Sequence, residues 1–251
     1  MKLARMPDGG PEIFFTLQGE GRNTGRPSVF VRASLCNLHC YWCDTDYTWN
    51  WEGTPFSHEK DADPAYRKYR REDQILRLDP DEIVAAVAGY PCHHYVFTGG
   101  EPLLQEKDWC ALMATLSAAA PESTFEVESN GTLLPGAEFL RRIDQINLSP
   151  KLENSGVARK LRYRPAVLRA LAATGKADFK FVIGDAADLT EVLALLDEVP
   201  VPPSRVFLMP QALTVAELEA NQSRVAALAQ EHGFRYSDRL HLRLFGAKRG
   251  V

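Results

Sequence analysis

Cys36-Asn37-Leu38-His39-Cys40-Tyr41-Trp42-Cys43-Asp44-Thr45 carries three cysteines with gaps of three and two residues, close behind the apolar run Val29-Phe30-Val31. Thiolates are the ligands of iron–sulfur clusters, and a four-iron cluster ordinarily takes four of them. Three in one tight loop leave one iron open to a small molecule, whereas a closed cluster mainly passes electrons. Zinc is the competing reading, with His39 as a fourth ligand. Against it, no second Cys/His pair follows at finger or ribbon spacing, and His39 beside Cys40 is badly placed to close a tetrahedron. The cluster reading is the stronger. A disulfide is weaker than either, since the five cysteines are odd in number and no signal peptide precedes them.

Outward from this loop, the chain reads as one ordinary globular domain. Its 251 residues are 45% hydrophobic and 25% charged, enough for a large core. A net charge of -4 gives no electrostatic case for nucleic acid. No apolar run reaches the length of a membrane span, and Met1-Lys2-Leu3-Ala4-Arg5 lacks a secretory apolar stretch. The expected location is the reducing cytoplasm. Cys92 and Cys110 are isolated, and Cys110 sits in an apolar helical pattern as a small core residue.

A strand from Ile13 runs into a loop broken by Gly19, Gly21 and Gly25, and a second strand covers Ser28–Arg32. On their own, Gln18 and Glu20 read as solvated loop residues; Arg32 ends an apolar strand, where a charge is usually paired or faces a ligand. The segment from Asp46 to about Leu78 is polar, with Trp49, Trp51, Tyr66 and Tyr69 among many charges, and shows no period. It reads as an inserted, partly ordered flap near the site. Regular alternation follows. Helices are expected at Asp79–Gly89, Lys107–Ala119, Glu138–Ile143, Pro165–Ala173, Ala187–Glu198 and Val215–His232. Strands are expected at His94–Thr98, Phe125–Ser129, Ile146–Ser149, Asp178–Ile183, Arg205–Met209 and Leu240–Leu244. This is an α/β fold with a parallel sheet of about six strands, an incomplete barrel.

Loops at the carboxyl ends of such strands carry the chemistry. The cysteine loop, Gly99-Gly100-Glu101, Ser129-Asn130-Gly131, Ser149-Pro150-Lys151 and Pro210-Gln211 all follow expected strands, so they converge on one rim. Gly99 and Gly100 allow close backbone approach to a ligand, and Glu101 can receive an ammonium. Lys151 and Gln211 are weak signals outside this context. Thr45 is an ordinary loop hydroxyl or an oxygen for Mg²⁺, which uses few protein ligands.

Cys-x3-Cys-x2-Cys with the aromatic Trp42 before the last cysteine resembles the signature of the radical S-adenosylmethionine (SAM) superfamily. Gly99-Gly100-Glu101 resembles its GGE motif. That resemblance implies a 4Fe–4S cluster on Cys36, Cys40 and Cys43, with SAM chelating the open iron and giving a 5′-deoxyadenosyl radical. A narrower resemblance is spread over nearly the whole chain. Phe15-Thr16-Leu17-Gln18-Gly19-Glu20-Gly21, Gly25-x-Pro27-x-Val29-Phe30-Val31-Arg32, Phe97-Thr98-Gly99-Gly100-Glu101-Pro102-Leu103, Ser149-Pro150-Lys151 and Gly246-x-Lys248-Arg249-Gly250 are similar to the 7-carboxy-7-deazaguanine synthase family. That family implies a lyase that turns 6-carboxy-5,6,7,8-tetrahydropterin into 7-carboxy-7-deazaguanine with loss of ammonia, on the queuosine route. Substrate positions would be Leu17, Gln18, Gly19, Glu20, Arg32 and Thr98. SAM would be held by Trp42, Asp44, Gly99, Gly100, Glu101, Ser149, Lys151 and Gln211, and Mg²⁺ by Thr45. A reductant such as flavodoxin and a homodimer are also implied. The chain departs from the family pattern at Leu35, where many members have glycine, and in its long 46–78 segment. The alternatives are another radical SAM enzyme such as a glycyl-radical activase, or a non-enzymatic zinc or electron-transfer protein.

Overall fold

The computed structural model describes all 251 residues. Its strands are β1 (Lys2–Ala4), β2 (Ile13–Leu17), β3 (Pro27–Ala33), β4 (Ile75–Arg77), β5 (His94–Gly99), β6 (Thr124–Ser129), β7 (Gln145–Leu148), β8 (Ala177–Ile183), β9 (Val206–Pro210) and β10 (Arg235–Tyr236). They form one ten-stranded sheet in the order β10-β9-β8-β7-β6-β5-β3-β1-β4, with β2 also beside β3. From β3 through β5 to β10 every pairing is parallel, while β1, β2 and β4 add antiparallel pairings at one edge. Helices in the crossovers complete an open, incomplete β/α barrel. No helix is long and apolar enough to cross a membrane.

The crossover helices start where their sequences dictate. Asp79 accepts from Glu82 N while Glu82 returns to Asp79 N, with Pro80 at the first helical position of Pro80–Val87. The same reciprocal caps open Ala186–Glu198, with Asp185 and Asp188, and Val215–Glu231, with Thr214 and Glu217. Each cap satisfies otherwise orphaned backbone donors, worth about 1 kcal/mol.

The two-residue period of the strands positions the site. Val29, Val31, Tyr95, Phe97, Phe125, Val127, Ile146, Leu148, Phe179, Phe181, Val206 and Leu208 enter one apolar core with the helices, where Phe97 stacks on Trp109 at 4.4 Å. Their alternates Arg32, Thr98, Glu128, Lys180 and Met209 line the concave side instead. A strand with both faces buried is normally apolar throughout. Here the inner face is polar because it encloses a cavity rather than a packed core.

Expected element boundaries agree to within a residue or two, with one error of type. Leu240–Leu244 is not a strand: Leu240–Phe245 is a short helix, and the parallel strand after Val215–Glu231 is Arg235–Tyr236. Leu240, Leu242 and Leu244 alternate like a strand, but Leu240 and Leu244 are also i and i+4 on one helix face. Leu240 N donates to Gly19 O at 2.9 Å, which fixes this helix against the N-terminal loop.

The 46–78 segment contains more regular structure than its sequence indicates. β4 pairs with β1, and Tyr47, Trp49 and His58 are buried. Asp46 anchors it from within, accepting from Lys60 Nζ at 2.8 Å and Tyr66 OH at 2.6 Å.

Candidate active site

The cysteine loop is fixed by backbone packing at the ends of β3 and β5. Their register pairs Arg32 with Thr98 and Ala33 with Gly99. A Cβ on Gly99, whose φ is +137°, would stand 2.1 Å from Ala33 O, and one on Gly100 would stand 2.1 Å from Leu35 O and 3.0 Å from Cys36 Cβ. Only glycine permits this approach. Leu35 is the sole non-glycine residue with positive φ, at 79°. The left-handed turn before Cys36 explains why glycine suits this position, and leucine adopts it at a cost of about 1 kcal/mol.

Glu101 lies behind the glycine loop. Its side chain is fully buried and absent from the cavity wall. The carboxylate accepts from Leu103 N at 3.0 Å, Ser129 Oγ at 3.0 Å and Asn130 N at 2.7 Å. It braces the glycine loop to the end of β6. Three of the carboxylate's roughly four lone-pair sites thus take protein donors.

Cys36, Cys40 and Cys43 are free thiols on the wall of one cavity of about 440 Å³. Burial pushes all three thiols up, Cys40 to about 12. His39 turns away: its ring stacks on Phe56 at 3.4 Å and meets Trp49 edge-on at 5.2 Å. No three His, Cys, Asp or Glu side chains converge as ligands of a single ion. Three thiols spread around a cavity, with His39 turned away from them, fit a multi-iron group better than lone zinc.

Every other expected site residue lines this same cavity: Leu17, Gln18, Gly19, Glu20, Arg32, Thr98, Trp42, Asp44, Thr45, Gly99, Gly100, Ser149, Lys151 and Gln211. Trp42 Nε1 donates to Asn154 O at 2.8 Å, and the Lys151 ammonium lies 5.4 Å from the centre of its ring. Lys151 Nζ also reaches Ser149 Oγ at 2.9 Å. Thr45 Oγ1 is 3.6 Å from Cys43 Sγ. Gly19 is pressed against His241, whose Nδ1 would be 2.5 Å from an added Cβ.

The residues that sequence reasoning missed hold these side chains in place. Lys180 Nζ pairs with Glu20 Oε2 at 2.5 Å and Glu128 Oε2 at 3.0 Å. Arg239 donates through Nε to Glu20 Oε1 at 3.1 Å and through Nη2 to Asp44 Oδ2 at 2.5 Å. Burial opposes the charge of Glu20, yet Lys180 and Arg239 hold its carboxyl far below the usual carboxylate range. Gln18 is also engaged, its amide donating to Glu126 and Glu128. Neither Gln18 nor Glu20 is a solvated loop residue. The available signal was the alternation itself, since Glu126, Glu128 and Lys180 interrupt apolar strands every second residue.

This fold and thiol-lined cavity define a radical SAM protein. Residues 31–199 match the Radical SAM superfamily, a membership that implies a 4Fe–4S cluster and SAM. The chain is 37% identical to 7-carboxy-7-deazaguanine synthase of Halobacterium salinarum, over 93% of this chain and 89% of that one. It is 36% identical to the enzyme of that name from Pyrobaculum aerophilum, over 95% of each chain. The chain belongs to the 7-carboxy-7-deazaguanine synthase family. The crystal structure of QueE from Escherichia coli shares its fold, with a TM-score of 0.66 at 24% identity over 96% of this chain and 95% of that one.

Proposed function

We propose that this chain converts 6-carboxy-5,6,7,8-tetrahydropterin to 7-carboxy-7-deazaguanine with release of ammonia, a lyase step toward queuosine. The observation that carries the reading is Arg32. It gives only Nε to the protein, at 2.7 Å from Glu12 Oε1, and lines the cavity that the three thiols share. Its two Nη groups are left for a carboxylate, which arginine binds in a two-pronged pair.

Cys36, Cys40 and Cys43 would hold three irons and leave the fourth for SAM, with Trp42, Asp44, Gly99, Gly100, Ser149, Lys151 and Gln211 around that cofactor. When bound, cluster and SAM together supply the radical chemistry. The protein's own residues bind and orient. Thr45 would give one oxygen to Mg²⁺, an ion that uses few protein ligands, and Arg32 would take the substrate carboxylate. Glu20 and Glu128, held as a pair by Lys180, present acceptors to the N–H edge of the bicycle. Gln18, locked by its own amide bonds, shapes the same wall with Leu17, Gly19 and Thr98. A cavity of about 440 Å³ is within the range of small-molecule sites. A reductant such as flavodoxin, a homodimer and a cytoplasmic location belong to the same proposal.

Anaerobic incubation of cluster-reconstituted protein with SAM, dithionite and the carboxy-tetrahydropterin tests it. The deazapurine chromophore is the expected product. Its absence from a sample that cleaves SAM would overturn the substrate assignment.

A further inference from the structure

Trp49 is enclosed at 2% exposure, in the turn that follows the cysteine loop. It shares the cavity wall with Cys36, Cys40 and Cys43. Leu35 N donates to Thr48 O at 3.1 Å, which folds this turn back against the residue before Cys36. His39 and Phe56 meet the indole edge-on, with ring centres 5.2 and 6.3 Å away.

The indole N–H of Trp49 has no hydrogen-bond partner. The other three tryptophans all have one: Trp42 donates to Asn154 O, Trp51 to Tyr47 O and Trp109 to Pro102 O. A buried donor left unsatisfied costs about 1–3 kcal/mol, so an acceptor is missing at this point. The Cys43 sulfur is the acceptor at hand. Cys43 stands on the same cavity wall, and Thr45, at the other end of the turn that Trp49 closes, lies 3.6 Å from its sulfur. A neutral thiol accepts poorly; a metal-bound thiolate accepts well.

We propose that the Trp49 indole N–H donates to the Cys43 sulfur of the bound cluster and raises its reduction potential. Adding an electron puts more negative charge on the cluster sulfurs, so a donor aimed at one of them favours the reduced state. Trp49 is thereby a positioning residue for the electron. The inference rests on the cluster that family membership implies, and not on the pterin. It stands or falls separately from the reaction proposed above.

The test is an EPR-monitored redox titration of anaerobically reconstituted protein without substrate. Trp49→Phe keeps the aromatic packing and removes the N–H. Its reduced-to-oxidised ratio at a fixed applied potential should fall about tenfold, which for one electron is about 59 mV toward the negative. Iron and sulfide content should be unchanged. Incorporating β-(3-benzothienyl)alanine at position 49 preserves the indole shape without the N–H, and serves where the phenylalanine variant fails to hold the cluster. A wild-type potential in a cluster-loaded variant of either kind would overturn the proposal.

Discussion

Arg32 and Glu12 form a clasp: Arg32 Nε donates to Glu12 Oε1 at 2.7 Å, and Glu12 is gripped from the far side by Arg249, Nε to Oε2 at 2.8 Å. Tyr47 OH adds a third donor at 3.0 Å, with the Arg249 guanidinium 3.6 Å from its ring centre. Three distant parts of the chain, the N-terminal loop, the turn after the cysteines and the C-terminal tail, thus fix one guanidinium before any ligand arrives. Arg32→Lys keeps the charge and loses the planar fork. It should retain its cluster and SAM cleavage while kcat/KM for the pterin falls roughly 10- to 100-fold, the worth of a charged hydrogen bond. Steady-state kinetics beside iron analysis will check this, and unchanged kinetics would remove Arg32 from carboxylate binding.

Gly100 gives a stability prediction that is also a cofactor prediction. Gly100→Ala drives a Cβ into Leu35 O and Cys36 Cβ, so it should destabilise the fold by about 1–3 kcal/mol and lower the iron retained after reconstitution. Gly89→Ala is the control, because nothing lies within 4 Å of its Cβ position. It should stay within about 0.5 kcal/mol of wild type in urea unfolding.

Glu101 accepts three donors with no proton to give in return. Glu101→Gln turns an amide NH2 toward at least one of those donors. The expected cost is about 1–3 kcal/mol, read in the same unfolding experiment. A neutral result would mean that the brace between the glycine loop and β6 is not made by the carboxylate.

Glu20 predicts an acid sensitivity of definite sign. Its folded pKa lies below the ordinary value of 4.5, because Lys180 and Arg239 outweigh the cost of burial. Such a group contributes stability that is fully present above the unfolded pKa and is lost as pH falls toward the folded one. Wild type should therefore exceed Glu20→Gln in stability above pH 5, and the gap should narrow as pH drops below about 4.5. A gap that stays constant down to pH 3 would show that the ion pairs with Lys180 and Arg239 do not set it.

Much of this site was legible before the fold was known. Cysteine spacing, the paired glycines after β5 and the polar residues at strand ends already place the chemistry on one rim, because parallel strands deliver their carboxyl-end loops to the same side. The inner wall was harder to read. Glu126, Glu128 and Lys180 look like isolated charges in apolar strands, and only the closed-up sheet puts them opposite Gln18 and Glu20. The bonds of Glu101 were hidden for a related reason. A carboxylate beside two glycines is a plausible ligand contact, and nothing local reveals that Ser129 and Asn130 occupy its oxygens. Arg239 lies in a stretch whose alternating leucines imitate a strand, so its bridge from Glu20 to Asp44 could not be drawn from sequence.

The central claim is that one cavity brings a carboxylated pterin against SAM held at the three thiols. Turnover with substrate deuterated at C6 tests it most directly, by following the label into SAM and product by mass spectrometry. The account predicts deazapurine product with deuterium appearing in recovered SAM. Product with the label lost only to solvent, or an unconsumed pterin beside a fully loaded cluster, would contradict it.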